Sequence, residues 1–525
     1  MSLYYDCATL LANEDHTGGS LKSRVYSAKN IKNTPAHVYA LASAVTKWSP
    51  VLAEVIEASG LLAVERKLTP ALALALTHDL LLRPRGLSCP STHPLARAIT
   101  AHRTRLSAEL TRVRLRRRHA TLPSLAAALD AHAPDGSLPH PRWMRVNTLT
   151  TTPKELLNRA FNNYTETTLA DVLSAKPTDC VYYRDTHVPD LLALPPGADV
   201  SKTSVYRGGN VILQDKASCF PALLLDPRPE DGRVVDACAA PGNKTTHLAA
   251  LYASHTSDST TASDTPDTTA SRIVAFERDA GRSKILAKML KTAKADERVD
   301  VRAPADFLAA DPGDEEWDDV GAILLDPSCS GSGIVGREDG ACVFPRAPAD
   351  VKGAAKGAPK KGKMGKVAKE ERVKEDVGAE EAALKERLTA LSAFQLHMVE
   401  HAMRFPACRR ITYSTCSIHG AENEAVVIRS LISDAGREGR WRVLRREEQV
   451  EGMKAWGVRG DRGGWVHEVA EACIRCEAGT AEGTMGFFVC GFVRDLPDWN
   501  EQVEEEAEEG RVDEEEWTGF SDDEG

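Results

Sequence analysis

Small residues follow an apolar run at 234–250, in the segment VVDACAAPGNKTTHLAA. The pattern predicts a strand that ends near Cys238, a short loop, and a helix that begins near Lys244. In an open α/β sheet such a turn is where a nucleotide-like ligand binds, and small side chains let the backbone approach it closely. The GxxxxGK[ST] spacing of a phosphate-binding loop is absent. The alternative interpretation is a tight turn with no ligand.

Three acids occur at the ends of the strands predicted after this loop. Glu277 ends the second strand, Asp306 follows the third and Asp326 ends the fourth. An acid at the first of these places suits hydrogen bonds to ribose hydroxyls, and Asp306 could reach an adenine amino group. A single acid at a strand end is usually a helix cap, but three in register with a small-residue loop favour a ligand site.

Two cysteines are predicted at the same edge of the sheet. Cys329 lies in LLDPSCSGSG, just beyond the fourth strand, and Cys416 lies in TYSTCS, at the end of the fifth. Either residue alone is usually a small buried side chain. Two thiols beside Asp326 are not easily explained by packing and indicate nucleophilic chemistry. Cys473 and Cys476 form a CxxC pair, but with no second pair or His cluster we predict no metal site.

Alternating strands and helices from 232 to 495 position these residues. Short β-rich runs at 233–238, 272–277, 299–304, 321–327, 410–417 and 486–495 are separated by helical segments such as 281–294. This alternation predicts a parallel, doubly wound α/β sheet with helices on both faces.

The first region of the chain has a helical pattern. Apolar residues at 37–58 have helical spacing, although Pro50 predicts a break or a restart, and Pro70 opens a further helix. A third helical stretch at 96–118 contains eight Arg and a single acid, Glu109. Such density suits phosphate contacts, although a solvated helix face is the simpler interpretation.

Composition bounds the organisation of the chain. Its 525 residues suffice for several domains. The predicted domains are 1–140, helical; 141–215, small α/β; 216–497, the large α/β domain; and 498–525, an acidic disordered tail. Two low-complexity insertions, about 253–270 and 346–385, are also predicted to be disordered.

Charge and hydropathy restrict the partners and the compartment. The net charge is −10, but residues 501–525 contribute 13 acids and one basic residue, or −12, so the other 500 residues sum to +2. An acidic partner is therefore not excluded. We find no apolar run long enough for a transmembrane helix and no secretory signal, so no membrane partner is predicted. Twelve irregularly spaced Cys favour a reducing compartment.

Together these motifs closely resemble the Nop/Sun family of RNA cytosine-5 methyltransferases. The matching segments are DACAAPGNKT, FERD, ADF, LDPSCSGSG and YSTCS. Many members have Gly where this chain has Asn243, and this Asn resembles the branch of the family that acts on large-subunit ribosomal RNA. Four further segments resemble the same branch: SLKSRVYS, PRWMRVNTL, GGNVILQDKASC and GFFV. The resemblance implies a Rossmann-like, S-adenosylmethionine-dependent methyltransferase domain preceded by an RNA-recognition-like element, which we place at 141–215.

The resemblance also implies roles for individual residues. Cys416 would be the nucleophile that adds to carbon 6 of cytosine, Cys329 would help to release the product, and Asp326 would contact the ring at nitrogen 3 and the exocyclic amine. Lys244 is a weaker candidate for lowering the pKa of Cys416. The expected cofactor-binding residues are Cys238, Ala239, Ala240, Pro241, Gly242, Asn243, Lys244, Glu277, Asp306 and Asp326. Cys238 is not expected to be catalytic.

The expected substrate is large-subunit ribosomal RNA, with pre-ribosomal particles as further partners and the nucleolus of the nucleus as the location. Transfer RNA is the alternative substrate, since both RNAs need a basic surface. A ribosome-assembly factor that binds RNA without catalysis is the alternative class. DNA methylation is disfavoured because those enzymes use the Cys of a Pro-Cys pair, whereas Ser328 separates Pro327 from Cys329 here.

Overall fold

The structure, a computed structural model, describes residues 1–12, 21–28, 30–130, 138–258, 272–334, 342–346, 364–461 and 466–494. The chain forms two compact units. One comprises residues 1–136 and 336–375, and the other comprises residues 137–335 and 376–525. The acidic tail predicted at 498–525 lies outside the described residues. No helix within the described ranges is both long and apolar enough to cross a bilayer.

The first unit is helical. Its helices are α1 Ser2–Ala12, α2 Leu21–Ser27, α3 Pro35–Ser59, α4 Leu61–Val64, α5 Pro70–Leu82, α6 Pro94–Ala101, α7 Arg103–Arg116 and α8 Leu122–Asp130. Buried aliphatic side chains of α1, α3, α5 and α7 form one core. The predicted helix ends at Gly60 and Pro70 are present: Gly60 has the left-handed φ of +64° that favours glycine, and Thr69 caps α5. The stretch predicted at 96–118 is divided at His102 into α6 and α7.

The prediction of a break at Pro50 was wrong, because α3 continues through it. A proline has no N–H to donate to the carbonyl four residues earlier. That carbonyl belongs to Thr46, and the Ser49 hydroxyl donates to it at 2.8 Å instead. A side-chain donor thus replaces the missing backbone bond and removes part of the cost of a proline within a helix.

A short segment at 342–346, which leads into the predicted second insertion, packs into this helical unit. Cys342 is buried in the helical core and Phe344 packs against it. The backbone N–H of Val343 donates to Ser49 Oγ at 2.9 Å, and that of Arg346 donates to Glu57 Oε1 at 3.0 Å. The assignment of 216–497 to a single domain was therefore wrong for 342–346, because sequence position does not reveal which core an apolar segment joins.

The second unit begins with a small α/β element. Its strands and helices are β1 Arg142–Val146, α9 Pro153–Ala160, β2 Thr165–Glu166, α10 Leu169–Ser174, β3 Val181–Arg184, β4 Leu191–Leu194, α11 Ser204–Arg207 and β5 Val211–Leu213. The sheet order is β2-β3-β4-β1-β5. The helix predicted near 153–162 is α9, which opens with a capping box between Thr152 and Glu155.

A larger sheet follows in the same unit. Its strands are β6 Arg233–Asp236, β7 Ile273–Phe276, β8 Val299–Arg302, β9 Val320–Leu325, β10 Arg410–Thr415, β11 Arg442–Val443, β12 Ile474–Cys476 and β13 Phe487–Val493. Its helices are α12 Lys216–Leu225, α13 Asn243–Asp258, α14 Ala280–Ala293, the part of α15 Met364–Ala402 from residue 376 onwards, α16 Glu424–Leu431, α17 Asp434–Glu438, α18 Glu451–Ala455 and α19 His467–Ala472.

This sheet has the predicted doubly wound topology. The order β11-β13-β10-β9-β6-β7-β8 places a switch point between β6 and β9, where the chain changes direction across the sheet. Strands β8, β7, β6, β9 and β10 are parallel. The last strand differs from the prediction because β13 runs antiparallel to β10. Apolar side chains of α13 and α14 cover one face and those of α15 and α16 the other.

The two predicted disordered insertions are partly helical. Residues 253–258 extend α13, and 364–385 belong to α15, whose Ala, Glu and Lys residues are strong helix formers. For these residues the prediction was wrong, because a composition that resembles a low-complexity loop also has high helix propensity. Residues 259–271 and 347–363 lie outside the described residues.

Candidate active site

The loop between β6 and α13 lies at the switch point, as the sequence predicts. Gly242 has a φ of +108°, a conformation that L side chains rarely adopt, and a Cβ there would lie 3.0 Å from Met289 Cγ. The backbone N–H of Ala239 donates to the Phe276 carbonyl at 3.0 Å. The loop is therefore held against β7 and α14, with its small side chains leaving the backbone approachable.

Asp236 holds the two ends of this loop by hydrogen bonds, a role that the sequence analysis missed. The residue is fully buried, and its carboxylate accepts hydrogen bonds from Thr245 Oγ1 at 2.7 Å and the Cys238 backbone N–H at 3.3 Å. Burial raises the pKa of Asp236 to about 6, against the lowering effect of its Thr245 hydrogen bond. The available signal was its position as the last residue of a buried strand before the loop.

Arg145 of the small α/β element fixes the start of α13. Its buried guanidinium donates to Gln214 Oε1 at 2.8 Å, to Thr246 Oγ1 at 2.9 Å and to the Asn243 carbonyl at 3.4 Å. Burial lowers its pKa to about 10. Asn243 Nδ2 in turn donates to the Leu213 carbonyl at 3.3 Å. The sequence analysis also missed this link, which joins residues about a hundred positions apart.

The structure brings two of the predicted acids to the neighbouring strand ends. Glu277 is nearly buried, and it accepts from the Asp279 backbone N–H at 2.8 Å and lies 3.5 Å from Arg282. Arg282 also donates to the Ala240 carbonyl of the loop at 2.5 Å. The Ala305 N–H donates to the Glu277 carbonyl at 3.0 Å, which places Asp306 beside this strand end. Asp306 Oδ1 accepts a hydrogen bond from the Leu308 backbone N–H and so caps the turn that follows. Its other oxygen, Oδ2, lies 3.4 Å from Arg278 Nη1.

Asp326 and Lys244 form an ion pair across the switch point. Lys244 Nζ lies 2.7 Å from Asp326 Oδ2, and the Ser414 hydroxyl donates to Asp326 Oδ1 at 2.9 Å. Lys244 also donates to Ser218 Oγ at 3.3 Å. Burial lowers the pKa of Lys244, but Asp326, together with Asp236 and Cys416, outweighs burial, so the pKa is raised overall and the lysine is cationic.

The two predicted cysteines face each other next to this pair. Cys329 Sγ and Cys416 Sγ are 3.0 Å apart, and both thiols are free. The hydrogen bond between them lowers the pKa of Cys329, whereas the same bond and burial raise that of Cys416. Lys244 acts in the opposite direction and lowers the pKa of Cys416. The pair therefore titrates as a unit that readily loses one proton and strongly retains the second.

Three other cysteines near the sheet, Cys238, Cys473 and Cys476, have raised pKa values. Burial raises the pKa of Cys238, so its thiol is neutral. Cys473 is buried beside Cys490, and burial raises the pKa of Cys473 and of Cys476. Within the ranges that the structure describes, no group of three or more His, Cys, Asp or Glu side chains is arranged to hold a metal ion.

The residues around the loop fit a nucleoside-type cofactor. The loop backbone is approachable at Gly242, and carboxylates lie at the ends of β7 and beyond β8. Asn243 Oδ1 is buried and accepts no hydrogen bond from the described protein. A buried acceptor without a donor costs free energy, so this atom suits a donor supplied by a ligand.

The sequence matches three known family models in succession. Residues 36–123 match the N-terminal domain of NOL1/NOP2/Sun domain family member 5, and residues 140–214 match the ferredoxin-like domain of the same family member. Residues 222–361 match the 16S rRNA methyltransferase RsmB/F family. The fold and the site together therefore define a Rossmann-like methyltransferase.

Curated relatives give the family. The chain is 35% identical over 491 residues to the 25S rRNA (cytosine-C(5))-methyltransferase rcm1 of Schizosaccharomyces pombe, with 93% of this chain and 90% of the relative covered. It is 34% identical to the 28S rRNA (cytosine-C(5))-methyltransferase of Mus musculus, with 94% and 91% covered. The chain belongs to the NOL1/NOP2/Sun domain family, in the branch of member 5. A solved structure titled PH0851 shares the fold, with a TM-score of 0.50 and 17% identity over 94% of this chain and 98% of that chain.

Proposed function

We propose that this protein transfers a methyl group from S-adenosylmethionine to carbon 5 of a cytosine in large-subunit ribosomal RNA. The observation that supports this most directly is the pair of thiols 3.0 Å apart beside the Lys244–Asp326 ion pair. Asp326 and the two thiols lie at the carboxyl ends of β9 and β10, and Lys244 lies in α13 after β6, at the edge where an open α/β sheet binds its ligands. The 25S and 28S rRNA specificities in the names of the relatives support the choice of RNA.

Cofactor binding falls to the loop and the strand-end acids. The backbone of 238–242 would hold the nucleoside, Glu277 would accept hydrogen bonds from the ribose hydroxyls, and Asp306 would accept one from the adenine amine through Oδ2, the oxygen that does not cap the following turn. Lys244 and Asp326 border the same crevice. S-adenosylmethionine supplies the electrophilic methyl group that carbon 5 receives.

Cys416 activates the base. Carbon 5 of cytosine is a poor nucleophile until a thiolate adds to carbon 6, and the new S–C bond makes carbon 5 electron-rich. The shared hydrogen bond lowers the pKa of Cys329 and raises that of Cys416, so the pair loses its first proton from Cys329. The Cys416 proton then passes across the 3.0 Å to Cys329 as the Cys416 sulfur adds to carbon 6, and Lys244, which lowers the pKa of Cys416, favours that transfer. Asp326, held by Lys244 and Ser414, contacts the exocyclic amine and nitrogen 3 of the ring. That contact stabilises the charge which develops as the sulfur adds.

Cys329 acts after the methyl group has moved. The carbon 5 proton must leave to a base, and the electron pair of that C–H bond reforms the ring double bond as the C6–S bond breaks. Cys329 Sγ is 3.0 Å from the departing sulfur, so its thiol is placed to give the Cys416 sulfur a proton. The product then leaves and the thiol pair again holds its shared proton.

Exposed arginines of α7 are our candidates for RNA contacts in the helical unit. Glu109 pairs with Arg112, and Glu54 pairs with Arg116 and Arg117. The other five arginines of the 96–118 stretch form no ion pair with an acid of the described residues: Arg97, Arg103, Arg105, Arg114 and Arg118. Uncompensated arginines at a protein surface attract phosphates in a salt-dependent way. The element at 140–214 is the second candidate, and a flipped target cytosine would enter the crevice from the RNA.

We further propose that the substrate is met within pre-ribosomal particles in the nucleolus. The resemblance to the large-subunit branch supports this location, and the uncompensated arginines suit a large RNA surface. The resemblance to this branch also supports the domain boundaries that we propose at 140, 215 and 497. Transfer RNA is the second candidate substrate, because the same crevice and basic surface would serve it.

A methyl-transfer assay tests the proposal. Purified protein with radiolabelled S-adenosylmethionine should methylate large-subunit ribosomal RNA fragments and leave transfer RNA unlabelled. Bisulfite sequencing of RNA from a strain without the protein should then show one unmethylated cytosine in large-subunit RNA, restored by the wild-type chain and not by Cys416→Ala. Label in transfer RNA alone would select the second substrate. Cofactor and RNA binding without transfer would select a non-catalytic assembly factor.

A further inference from the structure

A fully buried carboxylate lies behind the two cysteine loops. Glu422 has no exposed surface. Its Oε1 accepts hydrogen bonds from the Ser330 backbone N–H at 2.8 Å and from Gln395 Nε2 at 3.0 Å. Its Oε2 accepts one from the Ser417 hydroxyl at 2.5 Å. Three donors from three separate parts of the chain therefore converge on one side chain.

Two of these donors are the residues that follow the cysteines. Ser330 is next to Cys329, and Ser417 is next to Cys416. Gln395, on α15, also donates to the Ser328 carbonyl at 3.1 Å, so the residues on both sides of Cys329 are fixed. The Ser330 and Ser417 hydroxyls are themselves 3.1 Å apart. The carboxylate thus connects the two loops, through the backbone N–H of Ser330 in one and the side-chain hydroxyl of Ser417 in the other.

Burial of Glu422 needs an explanation, because it has no cationic partner among the described residues. A buried carboxylate without a counter-charge costs free energy even when it is hydrogen-bonded. Glu424, two residues further on, is also fully buried but forms two bonds to Arg475, at 2.7 and 2.6 Å. Glu424 is therefore neutralised by an arginine, whereas the charge of Glu422 is stabilised only by uncharged donors of the cysteine loops and Gln395.

We propose that Glu422 is the positioning residue that sets the distance between the Cys329 and Cys416 sulfurs. The two cysteines come from loops 87 residues apart, and the hydrogen bond between Ser330 and Glu422 spans 92 residues. The loops are also joined further along, where the Gly333 N–H donates to the Cys416 carbonyl at 3.0 Å and the Ile418 N–H donates to Ser332 Oγ at 3.1 Å. Loss of the Glu422 acceptor would leave these bonds in place but release Ser330 and Ser417, the residues next to the two sulfurs, so the thiols should move apart. The effect of Glu422 on methylation rests on the proposed function, whereas its effect on the thiols does not.

Thiol alkylation tests the positioning role of Glu422 without RNA or cofactor. The full-length protein would be treated with iodoacetamide across pH 5.5–10, and the modification of Cys329 and Cys416 would be followed by peptide mass spectrometry. The test variant is Glu422→Gln, whose amide keeps one acceptor oxygen but directs an NH₂ group at a donor. Lys244, Asp326 and Tyr413, the other charged or titratable groups near the pair, are unchanged.

Asp231→Asn is the matched control. Asp231 is a nearly buried carboxylate that pairs with Arg410, the first residue of β10, and accepts from the Arg228 N–H at 2.7 Å. The substitution makes the same chemical change at the opposite end of the strand that leads to Cys416. A general loss of stability would therefore appear in both variants, and a loss of thiol positioning in only one.

In the wild type, the rate of the first alkylation should rise with pH with a midpoint below about 8.5, the ordinary pKa of a cysteine thiol. Glu422→Gln should raise that midpoint by about one pH unit, which is a tenfold loss of thiolate at lower pH. Asp231→Asn should leave it unchanged. Equal midpoints in wild type and Glu422→Gln, or an equal shift in the control, would overturn the proposal.

A second variant covers the case in which Glu422→Gln does not fold. Ser417→Ala removes only one of the three hydrogen bonds and should raise the midpoint in the same direction by a smaller amount, and an unchanged midpoint there would also overturn the proposal. A shifted midpoint together with no methyl transfer by the wild type would refute the proposed function and leave the positioning role standing.

Discussion

Replacing each cysteine separately should divide the reaction into two halves. Cys416→Ala removes the sulfur that we propose adds to carbon 6, so this variant should bind cofactor and RNA but form no covalent complex. Cys329→Ala leaves that sulfur in place and removes its neighbour 3.0 Å away. Addition should then proceed and release should fail, so a covalent protein–RNA complex should accumulate.

The size of each effect follows from the site. Each substitution removes one sulfur atom from a partly buried position, comparable to deleting one methylene, so the free energy of unfolding should fall by only about 1 kcal/mol. A positioned acid or base contributes about 10²–10⁴ in rate, so release from Cys329→Ala should slow by about that factor. The chemical effect therefore exceeds any effect of stability, and unfolding cannot account for it.

The measurement is a denaturing gel with end-labelled ribosomal RNA and S-adenosylmethionine, which compares both variants, the double variant and the wild type. A slowly migrating complex should appear with Cys329→Ala and be absent from Cys416→Ala and from the double variant. A complex with Cys416→Ala but not with Cys329→Ala would refute the assignment and exchange the two roles. It would also favour the Pro-Cys type of chemistry used by DNA cytosine methyltransferases.

Three further predictions concern the loop and the cofactor. Glu277→Ala removes the acceptors proposed for the ribose and should weaken S-adenosylmethionine binding by about 1–3 kcal/mol in calorimetry, whereas unchanged affinity in a folded variant would remove Glu277 from the site. Gly242→Ala places a Cβ 3.0 Å from Met289 Cγ at a φ of +108° and should cost roughly 1–3 kcal/mol in thermal unfolding, with weaker cofactor binding, and a neutral result would contradict the strain. The raised pKa of Asp236, about 6, means that the folded state binds a proton more tightly than the unfolded state, so this group's contribution to stability falls as pH rises from about 4 to 6. The stability of Asp236→Asn relative to wild type should therefore increase by about 2–3 kcal/mol over that range in urea unfolding, and a flat difference would contradict the buried, ionising carboxylate.

Much of the site followed from local sequence. A strand that ends in small residues, acids at strand ends and cysteines after apolar runs are patterns within ten residues, and the structure places Lys244, Asp326, Cys329 and Cys416 together as expected. Topology explains why these residues lie together. Parallel strands end at one edge of the sheet, so a residue type at each strand end identifies the site before any distance is known.

Other features could not be obtained from local patterns. The helix through Pro50 depends on a hydroxyl that replaces a missing N–H, and the place of Cys342 depends on which core lies within reach. Residues 364–385 have the composition of a low-complexity loop and also the propensity of a helix, and here they form part of α15. In each case two outcomes are compatible with the sequence, and tertiary contacts select one.

The sequence by itself determined the class of chemistry that we propose, because the candidate nucleophile, the candidate acid and the candidate cofactor loop are each a residue type at a strand end. Only the tertiary structure decided how those groups act together. The separation of the thiols, the link from Arg145 to α13 and the convergence of three donors on Glu422 all join residues that are far apart in the chain. Such contacts depend on the packing of whole elements, and a carboxylate that follows TYSTCS by a few positions carries no local sign of the partner it will meet.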